Sequence, residues 1–104
     1  MKKYILSKSA EADLISIFEY TFENWGASQL DAYRQEINNA LHHICQNPQS
    51  PLSKPRDDLA AGCRLYRVSH HMIAYRLIND DIQIARILHK RMNIEQQVSR
   101  KTFQ

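Results

Sequence analysis

The side chains of this chain best equipped for chemistry gather toward its C-terminal end. In ARILHKRM, residues 85–92, a run that begins like a buried strand carries Arg86, His89, Lys90 and Arg91. Upstream, Arg64, Arg67 and Arg76 punctuate two further apolar runs. A histidine among cations suits phosphodiester cleavage. There a base takes the 2′-hydroxyl proton, an acid protonates the leaving oxygen and cations stabilise the phosphate. The same set suits a surface that docks an anionic partner, because guanidinium forks match carboxylates and phosphates alike. It also suits the solvated end of a strand. The strand segments contain no glutamate to partner His89, so the expectation is binding and no residue is assigned a catalytic role.

Two other constellations yield less. His70 and His71 are adjacent on a strand and point to opposite faces, so they do not readily share one ion. His42 and His43 lie about 100° apart on a helix with no Cys or carboxylate at a matching i+4 position. Cys45 and Cys63 form neither a metal-ligand pattern nor a disulfide framework and read as reduced thiols, Cys45 in the core. No metal and no cofactor is expected.

These residues need elements to hold them. The 104 residues suit one domain, 1–104, with a polar tail from about 93 expected to be loosely held. Tyr4-Ile5-Leu6 reads as a short strand. Leu14, Ile17, Phe18, Thr21 and Trp25 then fall on one helical face, with Ser7 or Ser9 as N-cap and Gly26 as the stop. Leu30, Tyr33, Ile37, Leu41 and Ile44 mark a second helix, with Ser28 as a candidate cap and Asn47-Pro48 ending it. Trp25, Tyr33 and Tyr75 read as core aromatics, and Tyr20 lies off the main stripe. Residues 47–63 hold all three prolines and read as a loop, with a turn of helix allowed at 57–61.

The period then becomes that of strands at 64–69, 71–77 and 82–89. The fold class is therefore α+β, in the order β-α-α-β-β-β. An N-terminal helical hairpin packs on one face of an antiparallel sheet. A turn at Asp80-Asp81 pairs Tyr75 with Arg86, Leu77 with Ile84 and Ile73 with Leu88. A bulge near Ala85-Arg86 would instead put Ile87 in the core and turn Arg86 out. Sequence alone leaves both open.

Net charge is +3, but residues 64–104 hold eight Arg and Lys against three Asp and Glu, whereas residues 1–46 carry a net −2. A positive C-terminal part recruits nucleic acid or an acidic protein segment. No apolar run approaches the ~18 residues of a membrane span or forms a signal peptide. No membrane partner is expected, and the expected compartment is the cytoplasm.

Three segments resemble the ParE toxins of the RelE/ParE superfamily of bacterial toxin–antitoxin modules. ADLISIFEYTFENWG (12–26) resembles that family's first helix. LHHICQNP (41–48) resembles the end of its second, and RVSHHMIAYRLINDDIQIARILHKRMN (67–93) resembles its sheet. The resemblance implies a toxin that inhibits DNA gyrase by binding and traps it on cleaved DNA. It also implies neutralisation by a ParD-like antitoxin whose flexible, often acidic C-terminal segment wraps the toxin. DNA would be contacted only through antitoxin or gyrase. Arg64, Arg67, Arg76, Arg86, His89, Lys90, Arg91 and Tyr20 become candidate partner-binding residues, Arg86 alternatively pairing with a helix acid such as Asp13 or Glu36. The superfamily also contains ribosome-dependent mRNA interferases, but Lys90 stands where some of those enzymes place tyrosine. A DNA-binding module and a degenerate, non-toxic antitoxin-binding scaffold are the remaining alternatives.

Overall fold

The computed structural model describes residues 2–103; the ends of the expected domain, Met1 and Gln104, lie outside them. The elements run β1 (Tyr4–Leu6), α1 (Lys8–Trp25), α2 (Ala27–Gln46), β2 (Ser53–Pro55), β3 (Arg64–Val68), β4 (His71–Ile78), β5 (Asp81–His89) and α3 (Ile94–Gln97). A 3-10 turn follows at Arg100–Phe103. The sheet order is β1-β5-β4-β3-β2, with β1 parallel to β5 and the other neighbours antiparallel.

Ser7 starts α1: its hydroxyl accepts from Ala10 N at 2.9 Å, satisfying one of the N–H groups that a helix start leaves free. Gly26 alone separates the helices. Its φ of 87° lies in the region glycine tolerates, and its N–H donates to the Phe22 carbonyl. Gly26, not Ser28, also occupies the N-cap of α2, which has no side-chain cap. The chain reverses in a single residue, leaving no room for a separate capping residue.

The helices bury Ala10, Ile17, Tyr33, Ile37, Leu41, Ile44 and Cys45 against Val68, Ile73, Tyr75, Ile82, Ile84 and Ile87 of the sheet. Along β3–β5 the alternate side chains Leu65, Ala74, Ala85 and Leu88 face the other way into a second core, with Leu59, Ala60, Cys63, Val98 and Phe103. The sheet is thus covered on both sides, where only one cover was expected. Loop 59–63 and the tail form the second. In the tail, expected to be loosely held, Val98 and Phe103 are 1% and 2% exposed. Residues 53–55, expected as loop, pair with β3.

The β4–β5 register differs from the one set by a turn at Asp80-Asp81. Asn79 and Asp80 are the turn residues, with φ of 49° and 70°, the left-handed pair that tight hairpins favour. Ile78 pairs with Asp81 and Tyr75 with Ile84; beyond the irregularity Ala74 pairs with Arg86 and Ile73 with Ile87. The extra residue is Ala85. The bulge restores Ile87 to the helix-facing core, as the bulged alternative required.

Candidate functional site

At the end where β5 runs out, α1 and the start of α2 stand away from the sheet and leave a cleft of about 910 Å³. The helices contribute Asp13, Ile17, Tyr20, Trp25 and Tyr33. The sheet contributes His70 from the β3–β4 turn, His71 from the start of β4, and His89, Lys90 and Arg91 from the end of β5. Lys90 N donates to the His70 carbonyl at 2.8 Å, which ties the two sheet segments together.

Three imidazoles meet there. The His70 and His89 rings are stacked at 6.3 Å with an interplanar angle of 19°, and His71 meets His89 edge-on at 5.3 Å. Nδ1 of His89 accepts from the Arg91 backbone N–H at 3.1 Å. Partial burial, then the charges of Arg91, His70 and Lys90, hold His89 below the ordinary histidine range. Nδ1 of His71 is hydrogen-bonded to the Tyr33 hydroxyl, which donates to the Val68 carbonyl oxygen at 3.3 Å. Burial first, and then His89 and His70, push His71 down to about 4. Burial and the nearby Glu36 push the Tyr33 phenol up to about 12. Both partners are therefore neutral at pH 7.

Stability should follow from this arrangement. Between pH 6.5, the ordinary histidine value, and 4 the unfolded chain takes up a proton at His71 that the fold refuses. The His71 contribution is whole above pH 6.5 and shrinks as the pH falls toward 4. From pH 7 to pH 5 the expected loss is about 2 kcal/mol. Urea unfolding at the two values measures it, and His71→Gln should remove that part of the pH dependence.

The structure divides the eight candidate residues. Tyr20, His89, Lys90 and Arg91 converge on the cleft. Arg64 is internal: its guanidinium donates to Ser53 Oγ at 2.7 Å and to the Ser53 and Ser50 carbonyls, tying β3 to β2. Arg76 donates to Gln83 and to the Phe103 carbonyl, and its guanidinium lies 4.7 Å from the centre of the Phe103 ring. Arg86 forms a two-pronged pair with Asp13 at 2.8 and 2.9 Å, where both a partner contact and a helix acid were open. Arg67 is exposed and lies elsewhere, donating to the Ser69 carbonyl beside a smaller depression between α2 and β3.

Trp25, Tyr33, His70 and His71 complete the cleft and were not among the candidates. Trp25, expected in the core, is 70% exposed. It is the last residue of α1, so the helical face it shares with Ile17 extends beyond the part the sheet covers. The pair His70-His71 was the available signal, since its position at a strand start sends one ring toward the helices and leaves the other outside.

Chemically, the cleft offers flat rings and cations. Both oxygens of Asp13 are occupied, by Arg86 and by the Ile87 backbone N–H. His71 is neutral and tied to Tyr33. Among the described residues no group of His, Cys, Asp or Glu is arranged to hold a metal ion, and no helix is long and apolar enough to cross a membrane.

Comparison with known proteins sets this geometry in context. A family model described as the ParE toxin of the type II toxin–antitoxin system parDE matches residues 4–94. Toxin ParE1 of Mycobacterium tuberculosis is 30% identical over 94 residues, 89% of this chain and 94% of its own. Toxin ParE1 of Caulobacter vibrioides is 34% identical over 93 residues, with the same coverage of 89% and 94%. Among solved structures, the chromosomal ParDE toxin–antitoxin system of P. aeruginosa superposes with a TM-score of 0.73. Its identity is 21%, over 86% of this chain and 96% of that one, a likeness of fold.

Proposed function

Because the chain belongs to the ParE toxin family of type II toxin–antitoxin systems, we propose that it inhibits bacterial DNA gyrase by binding and that a ParD-like antitoxin neutralises it. The observation that carries this reading is the uncommitted positive charge at the cleft. Among the described residues Arg86, Arg56 and Lys2 all form ion pairs. Lys90 and Arg91 are exposed at the cleft and form none with a described residue. Cations left unpaired on a surface attract an anionic macromolecule at little desolvation cost. The state of the acid–base groups supports binding over cleavage, since Asp13 and His71 are already engaged inside the fold.

Purified gyrase supplies the test. Added protein should block supercoiling, and the antitoxin encoded beside it should restore activity. Lys90→Glu with Arg91→Glu reverses two charges on exposed side chains. It should raise the inhibitory concentration by roughly tenfold or more and leave the thermal melt unchanged. Undiminished supercoiling in the presence of folded protein, together with cleavage of mRNA on translating ribosomes, would assign the chain to the interferases instead.

A further inference from the structure

We infer that the cleft takes an unpaired nucleotide of single-stranded DNA, its base against Trp25 and Tyr20 and its phosphate against Lys90 and Arg91. The inference deepens the reading of this cleft as the target-facing surface and rests on that reading.

The lining itself argues for a planar, anionic occupant. Six ring-bearing side chains line the cleft, Tyr20, Trp25, Tyr33, His70, His71 and His89, against three aliphatic ones, Ile17, Ile87 and Met92. Ile17, Ile87 and the Tyr33 ring are buried, at 9%, 2% and 8% exposure, so the surface left open is that of Tyr20, Trp25 and the histidines with polar groups, Met92 being its one exposed aliphatic side chain. A docking peptide helix seeks aliphatic pits at helical spacing; this cleft presents few. Tyr20 and Trp25 are 63% and 70% exposed, and large aromatic faces left bare beside cations are the combination that single-strand binders use. His70 and His89 already form one short stack with an exposed ring at its end. The space, about 910 Å³, admits a base with its sugar and phosphate. Duplex DNA keeps its base faces covered and meets this site only through phosphates.

The chain reports its own occupancy, because Trp25 is its only tryptophan. The probe is a fluorescein-labelled thymidine octamer, followed by anisotropy, with tryptophan emission recorded on unlabelled octamer. Binding with a Kd on the order of 10 µM at low salt and quenching of Trp25 at the same concentrations are expected. Trp25→Ala should weaken binding roughly tenfold. Lys90→Glu with Arg91→Glu, which keeps the tryptophan, should weaken it at least as much and flatten the salt dependence. Lys54→Glu on β2, exposed and outside the cleft, should change nothing beyond a small general charge effect.

Four results overturn the proposal. Anisotropy that rises with no change in Trp25 emission places the strand elsewhere. Polyglutamate that displaces the probe more effectively than unlabelled octamer makes the occupant an acidic peptide. Tighter binding of a uridine octamer makes it RNA. No binding at all leaves the cleft without this ligand. Gyrase takes no part in these measurements, so supercoiling inhibition that persists without octamer binding sinks the inference alone. Octamer binding without inhibition sinks only the gyrase assignment.

Discussion

Asp13→Ala should lower the unfolding free energy by about 3 kcal/mol and the melting temperature by roughly 12–20 °C for a domain of this length. The size follows from what one carboxylate does. Oδ1 accepts from Arg86 Nη2 at 2.9 Å, and Oδ2 accepts from Arg86 Nε at 2.8 Å and from the Ile87 N–H at 2.9 Å. Strand β1 ends at Leu6, opposite Ile84. Past that point α1 takes over the edge of β5: Ser7 Oγ donates to the Ala85 carbonyl at 2.7 Å, and Asp13 receives the Ile87 N–H. The bulge at Ala85 is therefore held from the helix side. Alanine at position 13 leaves a guanidinium whose side chain is only 21% exposed without its counter-charge, and an N–H without an acceptor. Asp13→Asn keeps an acceptor but not the charge and should fall between. The double variant Asp13→Leu with Arg86→Met removes both charges and should recover most of the loss. Equilibrium unfolding in urea measures all three. A cost below about 1 kcal/mol for Asp13→Ala would class the pair with exposed surface bridges.

Phe103→Ala should cost about 2–4 kcal/mol, less than the full value for a ring deep in a core because a terminal segment can detach instead of leaving a void. Phe103 is 2% exposed within the second core, and its carbonyl accepts from Arg76 Nη2 at 2.9 Å and from Gln83 Nε2 at 3.3 Å. Losing the ring also removes the cation–π contact with Arg76. Detachment uncovers Leu88, Ala85 and Ala74, so hydrogen exchange should accelerate in residues 94–103 first and in β4 and β5 to a smaller degree. A tail held only loosely would show a cost under about 0.5 kcal/mol, the range of ordinary surface substitutions, and fast exchange already in the parent.

That tail shows what the sequence could not disclose. The helices were legible because their apolar residues recur at helical spacing over 18 and 20 residues. The strands were legible because β-branched and aromatic residues cluster between polar turns. Val98 and Phe103 stand alone among polar neighbours, with no period to announce that they share a core. The hairpin register was ambiguous for a related reason. Asn79, Asp80 and Asp81 are three consecutive turn-forming residues, so the reversal can be placed one residue either way, and each placement changes which side chains meet across the ladder. The bulge was visible only as a conflict, Arg86 in an otherwise apolar row. Its solution needed Asp13, 73 residues earlier. The cleft was half legible: the cations at 89–91 announced themselves, whereas Trp25 and Tyr33 join them only once the helices cross that end of the sheet.

The parallel pairing of β1 with β5 also dictates when this molecule can come into being. Tyr4 finds its neighbour in Ile82 and Leu6 in Ile84, so β1 waits for β5, about 80 residues later. The local hairpin of α1 and α2 can form early, but an edge so distant in sequence closes late and slowly. A nascent chain therefore carries this edge of its sheet unassembled through most of its synthesis. In the interval before β5 emerges, β1 has no strand to pair with and the cleft lacks the wall that His89, Lys90 and Arg91 supply.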